Sequence, residues 1–315
     1  MAFLNSDIGF SFPKKKLSNN TISAMFPEWD AEKIYKKVGI SNRFICSENE
    51  NSLDLAKESF INLCSKVNNF IPDLVIYVSN SSFSQAPGDG HKFLSFFPEI
   101  KNSGCIDLNL GCSGFTYALG LANSIIDSNC AENILIITSE AYSKYINKND
   151  KGNMTLFGDA STASIVSKTP ISNLFWSISN FKFGSEGNGY NDLVINKKIN
   201  DYNEIGNLFM DGQKIFSFTA NTVVKFIESQ NLMLENYNIL FHQANAFMLN
   251  YMRKKLNIES QKFIISFENY GNTVSSSIPL AIKDNIKKII HTPTFLCGFG
   301  IGASYSSVIL NPIDL

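Results

Sequence analysis

Short apolar runs alternate with stretches of helical period along most of this chain. Asp73-Leu74-Val75-Ile76-Tyr77-Val78-Ser79 and Asn133-Ile134-Leu135-Ile136-Ile137-Thr138 are apolar at odd and even positions alike. Strands covered by helices on both faces read this way. Between them, Ile106, Leu108 and Leu110 alternate with Asp107 and Asn109, the period of a strand. From Phe115 onward the apolar residues fall at Phe115, Ala118, Leu119, Ala122, Ile125 and Ile126, the period of a helix. A weaker second series begins after about residue 175. It predicts helices over 215–227 and 244–256, a strand at Asn238–Phe241, and a helix after Asn272 bearing Ile278, Ala281, Ile282, Ile286 and Ile289. Closing strands are predicted at 294–297 and 306–310. The order predicts an α/β chain of two βαβ-rich halves, 1–170 and 171–315, dividing at the turn chemistry of Lys168-Thr169-Pro170.

Composition narrows the partners. Charged residues make up 17% of the 315 positions and the formal net charge is −1, which argues against nucleic acid or another polyelectrolyte. Six cysteines (46, 64, 105, 112, 130 and 297) are scattered, mostly within apolar segments. They form neither a secreted disulfide framework nor a Cys-x-x-Cys zinc pattern, so a cytoplasmic setting is expected. The start, MAFLNSDIGFSFPKKK, lacks a leader pattern, and Lys14 to Lys16 read as a solvated loop. No apolar stretch reaches the ~18 residues of a membrane span, so no membrane partner is expected.

The chemistry gathers at element junctions. In CIDLNLGCSGFTYALGLANSII, Cys112 stands where strand period gives way to helix period, between Gly111 and Gly114. A cysteine on such a turn meets the unpaired amides and positive dipole end of a helix, an environment expected to lower its pKa. His242, one of three histidines, ends the predicted strand Asn238–Phe241, where α/β folds place their sites. Asn272 precedes the small-residue stretch Thr273-Val-Ser-Ser-Ser277. Each alone reads as ordinary packing or capping; together they form a Cys/His/Asn set.

Asn109-Leu-Gly-Cys-Ser-Gly-Phe-Thr-Tyr-Ala118, Phe157-Gly-Asp-Ala160, His242-Gln-Ala-Asn245, Tyr270-Gly-Asn-Thr273 and Gly298-Phe-Gly-Ile-Gly-Ala303 resemble, in order, the signatures of the β-ketoacyl-acyl carrier protein synthase III family. The resemblance implies a thiolase fold, with two similar halves in a five-layer αβαβα sandwich, usually a homodimer. It implies that Cys112 is acylated by a thioester, with the amides of Cys112 and Ile301 holding the oxyanion. His242 and Asn272 would then steady the enolate formed when a malonyl-carrier protein loses CO₂. Acyl carrier protein and an acyl-coenzyme A or acyl-carrier donor are the implied partners, and no metal or separate cofactor is required. Substrate and carrier contacts are implied at Lys37, Lys151, Gly212, Asn245, Phe247 and Phe299.

Several positions depart from the family pattern. The coenzyme A adenine site falls near Lys33 and Lys37, with Trp29 lying upstream and not counted as equivalent. Lys151 stands where arginine is usual, and a carrier-docking arginine is replaced at Phe247. Arg253, Lys254 and Lys255 are alternative docking charges that equally suit a helix C-terminus. Ser82-Phe-Ser-Gln-Ala-Pro-Gly-Asp-Gly90, with Phe96 and Phe97, is expected to shape an acyl pocket. Met210-Asp-Gly-Gln-Lys-Ile-Phe216 is similar to a specialised or surface-polysaccharide branch. No glutamate is expected beside Cys112, which favours decarboxylation over proton abstraction. The competing readings are acyl transfer from Cys112 to an amine or hydroxyl, and a non-catalytic partner subunit. A papain-like hydrolase fits poorly, because its local cysteine signature is missing.

Overall fold

The computed structural model describes residues 1–84, 86–195 and 207–313. Thirteen strands are present among them: β1 Phe3–Ser11, β2 Lys15–Ser18, β3 Asn42–Ile45, β4 Leu74–Val78, β5 Gly104–Leu108, β6 Asn133–Glu140, β7 Ala160–Ser167, β8 Phe175–Ser185, β9 Leu193–Ile195, β10 Leu208–Met210, β11 Asn238–Phe241, β12 Thr294–Gly300 and β13 Ser304–Pro312. Nine of them join in the order β11-β12-β13-β8-β1-β7-β6-β4-β5. The order is a near-palindrome about the antiparallel β1/β8 contact. Moving outward, β7 and β13 are each antiparallel to their inner neighbours, β6 and β12 are antiparallel to those, and β4 and β11 pair parallel with β6 and β12. Beyond β4 lies β5. Beyond β11, among the described residues, there is only an isolated parallel bridge between Ile239 and Phe263.

Alternate residues of the strands feed different cores. Ile76, Ile134 and Ile136 of one half share a buried cluster with Leu240, Leu296 and Val308 of the other, and the helices Gly114–Asp127 and Ser277–Asp284 fill the space between. Val75, Leu135 and Ile137 face outward under the helix Ser52–Cys64. Ile239, Phe241 and Phe295 face outward under the helices Val224–Glu228 and Ala246–Lys255. The layers are therefore helix, sheet, helix, sheet, helix. Both-faced burial accounts for strands that are apolar at every position.

The structure adjusts several sequence expectations. β1 sits at the centre of the sheet although its Asn5, Ser6 and Asp7 break the apolar pattern. Asn5 is buried because its amide donates to Ser167 and Ile165, while its oxygen accepts from the backbone of Ile171 and Ser172. Lys15 and Lys16 lie in β2, paired with β3, and are not loop residues. The helix expected over 215–227 runs from Gly212 to Glu228, with a π-helical stretch at Phe218–Val223 in its middle. Pro170 lies in the connection between β7 and β8. No helix among the described residues is long and apolar enough to cross a membrane.

Candidate active site

Cys112 lies on the turn between β5 and the central helix Gly114–Asp127. Gly114 lets that helix start against β4, since a Cβ there would stand 2.3 Å from Val78. From the opposite half, the end of β12 closes over the cysteine. A Cβ on Gly300 would fall 2.9 Å from the Cys112 sulfur, so only glycine admits this approach. Past Gly300 the backbone N–H of Ile301 is directed at that sulfur, as is the amide of Cys112 itself. Two main-chain donors thus converge where negative charge would develop during attack on a carbonyl.

His242 follows the last residue of β11, and its N–H donates to Cys297 of the neighbouring β12. Its Nδ1 lies 2.8 Å from Ser277 Oγ. The Gln243 N–H also reaches that oxygen at 3.4 Å. In the tautomer with Ser277 donating to Nδ1, the ring proton stands on Nε2. Burial holds the imidazole pKa down at about 3, so the ring is neutral in ordinary buffers.

Asn272 is fixed on all sides. Its N–H donates to Leu156 and its carbonyl accepts from Gly158. Its side-chain oxygen accepts from Val274 N–H at 2.9 Å, leaving the amide nitrogen as the free donor. The Phe157-Gly-Asp motif thereby acquires a structural reason. A Cβ at Gly158 would lie 2.1 Å from the Tyr270 carbonyl oxygen, so glycine is required where this strand start supports the asparagine loop. Gly271, at φ +74°, takes the left-handed conformation that turns the chain into Asn272.

Cys112, His242 and Asn272 are all buried and line one cavity of about 170 Å³, together with Gly212, Asn245 and Phe299. Phe299 stands edge-on to the His242 ring at 5.7 Å. Asn245 caps the helix Ala246–Lys255 through Met248 N–H. Gly212 faces open space, since a Cβ there would touch nothing. Asn245 and Leu156 also line a larger groove of about 630 Å³ that leads outward past Lys37 and Phe247. Lys151 does not line it. The lysine pairs with Glu28 and lies 5.0 Å from the Phe26 ring, beside Gly152, which does line the groove.

Trp29, set aside on sequence spacing, lines the same groove as Lys33 and Lys37. The helix Ala31–Val38 turns one face to the groove, and Trp29 enters from the segment just before it. Among the docking alternatives, Arg253 donates to the Ile258 carbonyl just past its helix, which is a capping role. Of the expected acyl-pocket segment, Ser82, Ser84 and Gly88 line a cavity of about 710 Å³ with mixed polar and apolar walls, while Gln85 lies outside the described residues. Phe97 does not contribute, because it packs with Phe60 and Phe93 in the outer core; Phe96 sits beside Lys57 and Lys92.

Two electrostatic expectations are corrected. The Cys112 thiol is pushed up, not down. Burial is the largest cause and the charge of Glu140 adds to it, while the two amides oppose them. The helix proper starts two residues later, at Gly114, and the loss of water at the sulfur is the largest effect. Glu140 itself is the glutamate the sequence reading did not find. It ends β6, a strand buried from Ile134 onward and apolar through Ile137, which was the available signal. Its carboxylate accepts from Ser81, Ser275 and the Asn80 N–H, and burial raises its pKa to about 7. Glu140 lines none of these cavities. It braces Ser275, three residues beyond Asn272, instead of facing substrate.

The sequence matches the family described as 3-oxoacyl-[acyl-carrier-protein (ACP)] synthase III over residues 106–187, and its C-terminal counterpart over residues 230–311. A β-ketoacyl-[acyl-carrier-protein] synthase III of Lactococcus lactis is 33% identical, over 95% of this chain and 96% of its own. One from Clostridium perfringens is 31% identical over 96% and 98%. A crystal structure of a 3-oxoacyl-(acyl-carrier-protein) synthase III superposes with a TM-score of 0.91 at 30% identity, covering 99% of this chain and all of the other. A 3-oxoacyl-(acyl-carrier protein) synthase from Burkholderia xenovorans gives 0.86 at 27% identity, covering 100% and 95%.

Proposed function

The chain belongs to the 3-oxoacyl-[acyl-carrier-protein] synthase III family, with the thiolase fold of its solved relatives, and we propose that it catalyses a decarboxylative condensation in which Cys112, His242 and Asn272 divide the work. The observation that carries this reading is the shared cavity, where one nucleophile, two amide donors directed at it and two side-chain donors meet.

In the first half-reaction the Cys112 sulfur attacks an acyl thioester carbonyl. The amides of Cys112 and Ile301 stabilise the tetrahedral oxyanion, and the carrier thiol leaves. The proton that the Cys112 thiol gives up on attack is balanced by the one the departing carrier thiolate takes up, so the transfer leaves His242 neutral. In the second, a malonyl thioester places its carbonyl against His242 Nε2–H and Asn272 Nδ2. Loss of CO₂ leaves an enolate whose oxygen these donors hold. Its carbon attacks acyl-Cys112 and expels the Cys112 thiolate, which takes a proton from solvent to restore the thiol, and the product is a 3-oxoacyl thioester. Glu140 stays hydrogen-bonded outside the cavity, so it is not placed to abstract a substrate proton. No metal or separate cofactor is needed, because the donors supply the charge stabilisation.

The groove past Lys37 and Phe247 suits a phosphopantetheine arm, whether on coenzyme A or on acyl carrier protein. Trp29 offers an aromatic face and Lys33 and Lys37 offer charge for the outer end. A homodimer is supported by β5, which forms an edge of the sheet and exposes Ile106 by 37%, an apolar edge that isolated chains seldom leave bare. A cytoplasmic fatty-acid or specialised acyl pathway follows from the chemistry.

Intact-protein mass after incubation with a panel of acyl thioesters, then malonyl-carrier protein, tests the reading. A mass gain that Cys112→Ala loses, and that malonyl-carrier protein removes, supports condensation. Acylation removed only by an amine or alcohol would replace it with simple acyl transfer. No acylation by any donor would leave a partner subunit.

A further inference from the structure

At the β5 edge of the nine-stranded sheet, three side chains with metal-ligand chemistry face one another. Cys105 and Asp107 are two residues apart on β5 and so share one face. The helix Asp89–Leu94 lies directly on that face, and two glycines allow it. A Cβ on Gly88 would stand 2.3 Å from the Asp107 carboxyl carbon, and one on Gly90 would stand 2.4 Å from the Cys105 sulfur. His91 comes next along this helix. Its Nδ1 lies 3.7 Å from Asp107 Oδ2, and the sulfur, nitrogen and oxygen donor atoms of the three residues all lie within 4.8 Å of one another. Asp107 Oδ1 accepts from Gly90 N–H at 2.8 Å, which turns Oδ2 toward the histidine. The condensation uses none of these groups.

We propose that His91, Cys105 and Asp107 bind one zinc ion. A thiolate and an imidazole select a borderline-soft ion over calcium or magnesium, and the carboxylate completes a set of three donors familiar for zinc. With bond lengths of about 2.0–2.3 Å, tetrahedral donors stand ~3.3–3.8 Å apart. A separation at the 4.8 Å limit must close by ~1 Å, and the exposed His91 has room to rotate toward the other two donors. Binding converts the Cys105 thiol to thiolate and releases its proton to solvent, and the ion keeps its oxidation state. The fourth position takes water from the 710 Å³ cavity, which Asp107 and Gly88 also line and which gives the ion a way in. The ion would clamp the helix Asp89–Leu94 to the strand that runs into the Cys112 turn.

Cobalt(II) reads out the donor set directly. The protein is used full length, tag-free and metal-stripped, as Cys112→Ala so that the nucleophile cannot contribute. Titration is expected to give one cobalt per chain, with a thiolate-to-cobalt charge-transfer band and tetrahedral visible bands, both abolished by zinc. Cys105→Ser added to this background removes the charge-transfer band. His91→Ala, a change at an exposed side chain with little folding cost, removes the tetrahedral spectrum, and circular dichroism checks that both variants are folded. Absence of these bands overturns the proposal. So does their persistence in either folded variant, since the signal would then belong to the exposed thiols of Cys64 and Cys130.

Discussion

At the scale of single residues, the proposed division between Cys112 as nucleophile and His242 and Asn272 as donors means that their variants should separate in the same way. His242→Ala or Asn272→Ala should slow CO₂ release from malonyl-carrier protein by about 10²–10³-fold. Asn272→Ala should leave acylation of Cys112 close to normal. Rapid-quench measurement of the two half-reactions checks this; equal losses in both would mean that Asn272 is only structural. Glu140 makes a different prediction. Its folded pKa of about 7 exceeds its ordinary value of 4.5, so the native state binds the extra proton between those pH values. Its contribution to stability is therefore complete below pH 4.5 and is lost as pH rises through 7. Glu140→Gln should flatten that decline. The advantage of the variant over wild type in denaturant unfolding should grow by up to ~3 kcal/mol between pH 5 and pH 8. An unchanged difference across that range would place the carboxyl in a wetter setting than the structure gives it. His242 has the opposite sign: its depressed pKa favours the native state above 6.5, and that contribution is lost as pH falls toward 3.

At the scale of elements, legibility followed burial pattern. Strands with apolar runs on both faces, such as β4 and the Ile134–Ile137 stretch of β6, and the period of the helix Gly114–Asp127 stood out in the sequence. So did the three junctions carrying Cys112, His242 and Asn272, because each ends one periodicity and begins another. β1 was not legible, since its Asn5 satisfies backbone groups from residues far along the chain. Trp29 was missed because counting residues back from a motif cannot see how the segment before a helix folds onto its face. The Glu140 bracing is likewise a contact between distant segments. Glycines mark where elements meet: Gly300→Ala places a methyl against Cys112, so it should slow acylation by at least ~10-fold and also lower the melting temperature through overpacking. Gly158→Ala meets a backbone carbonyl instead, and should lower stability by more than ~1 kcal/mol. If Gly300→Ala acylates at the normal rate, β12 does not close over the cysteine as described.

At the scale of the whole molecule, the near-palindromic sheet brings the starts of two central helices together. Cys112 comes from one half, and His242 and Asn272 come from the other, so the site exists only in the assembled fold. The groove past Trp29 connects this centre to the surface. Trp29→Ala should raise KM for a coenzyme A donor with kcat nearly unchanged, because the ring is remote from the reacting carbonyl. A fall in kcat alone would place it elsewhere in the cycle. The central claim is that acyl-Cys112 is consumed by carbon–carbon bond formation driven by decarboxylation. The most direct test is a single turnover of preformed acyl-Cys112 with malonyl-carrier protein labelled in its free carboxyl. One labelled CO₂ is expected for each acyl group lost from Cys112, with a 3-oxoacyl-carrier protein as product. Loss of the acyl group without labelled CO₂ would contradict it.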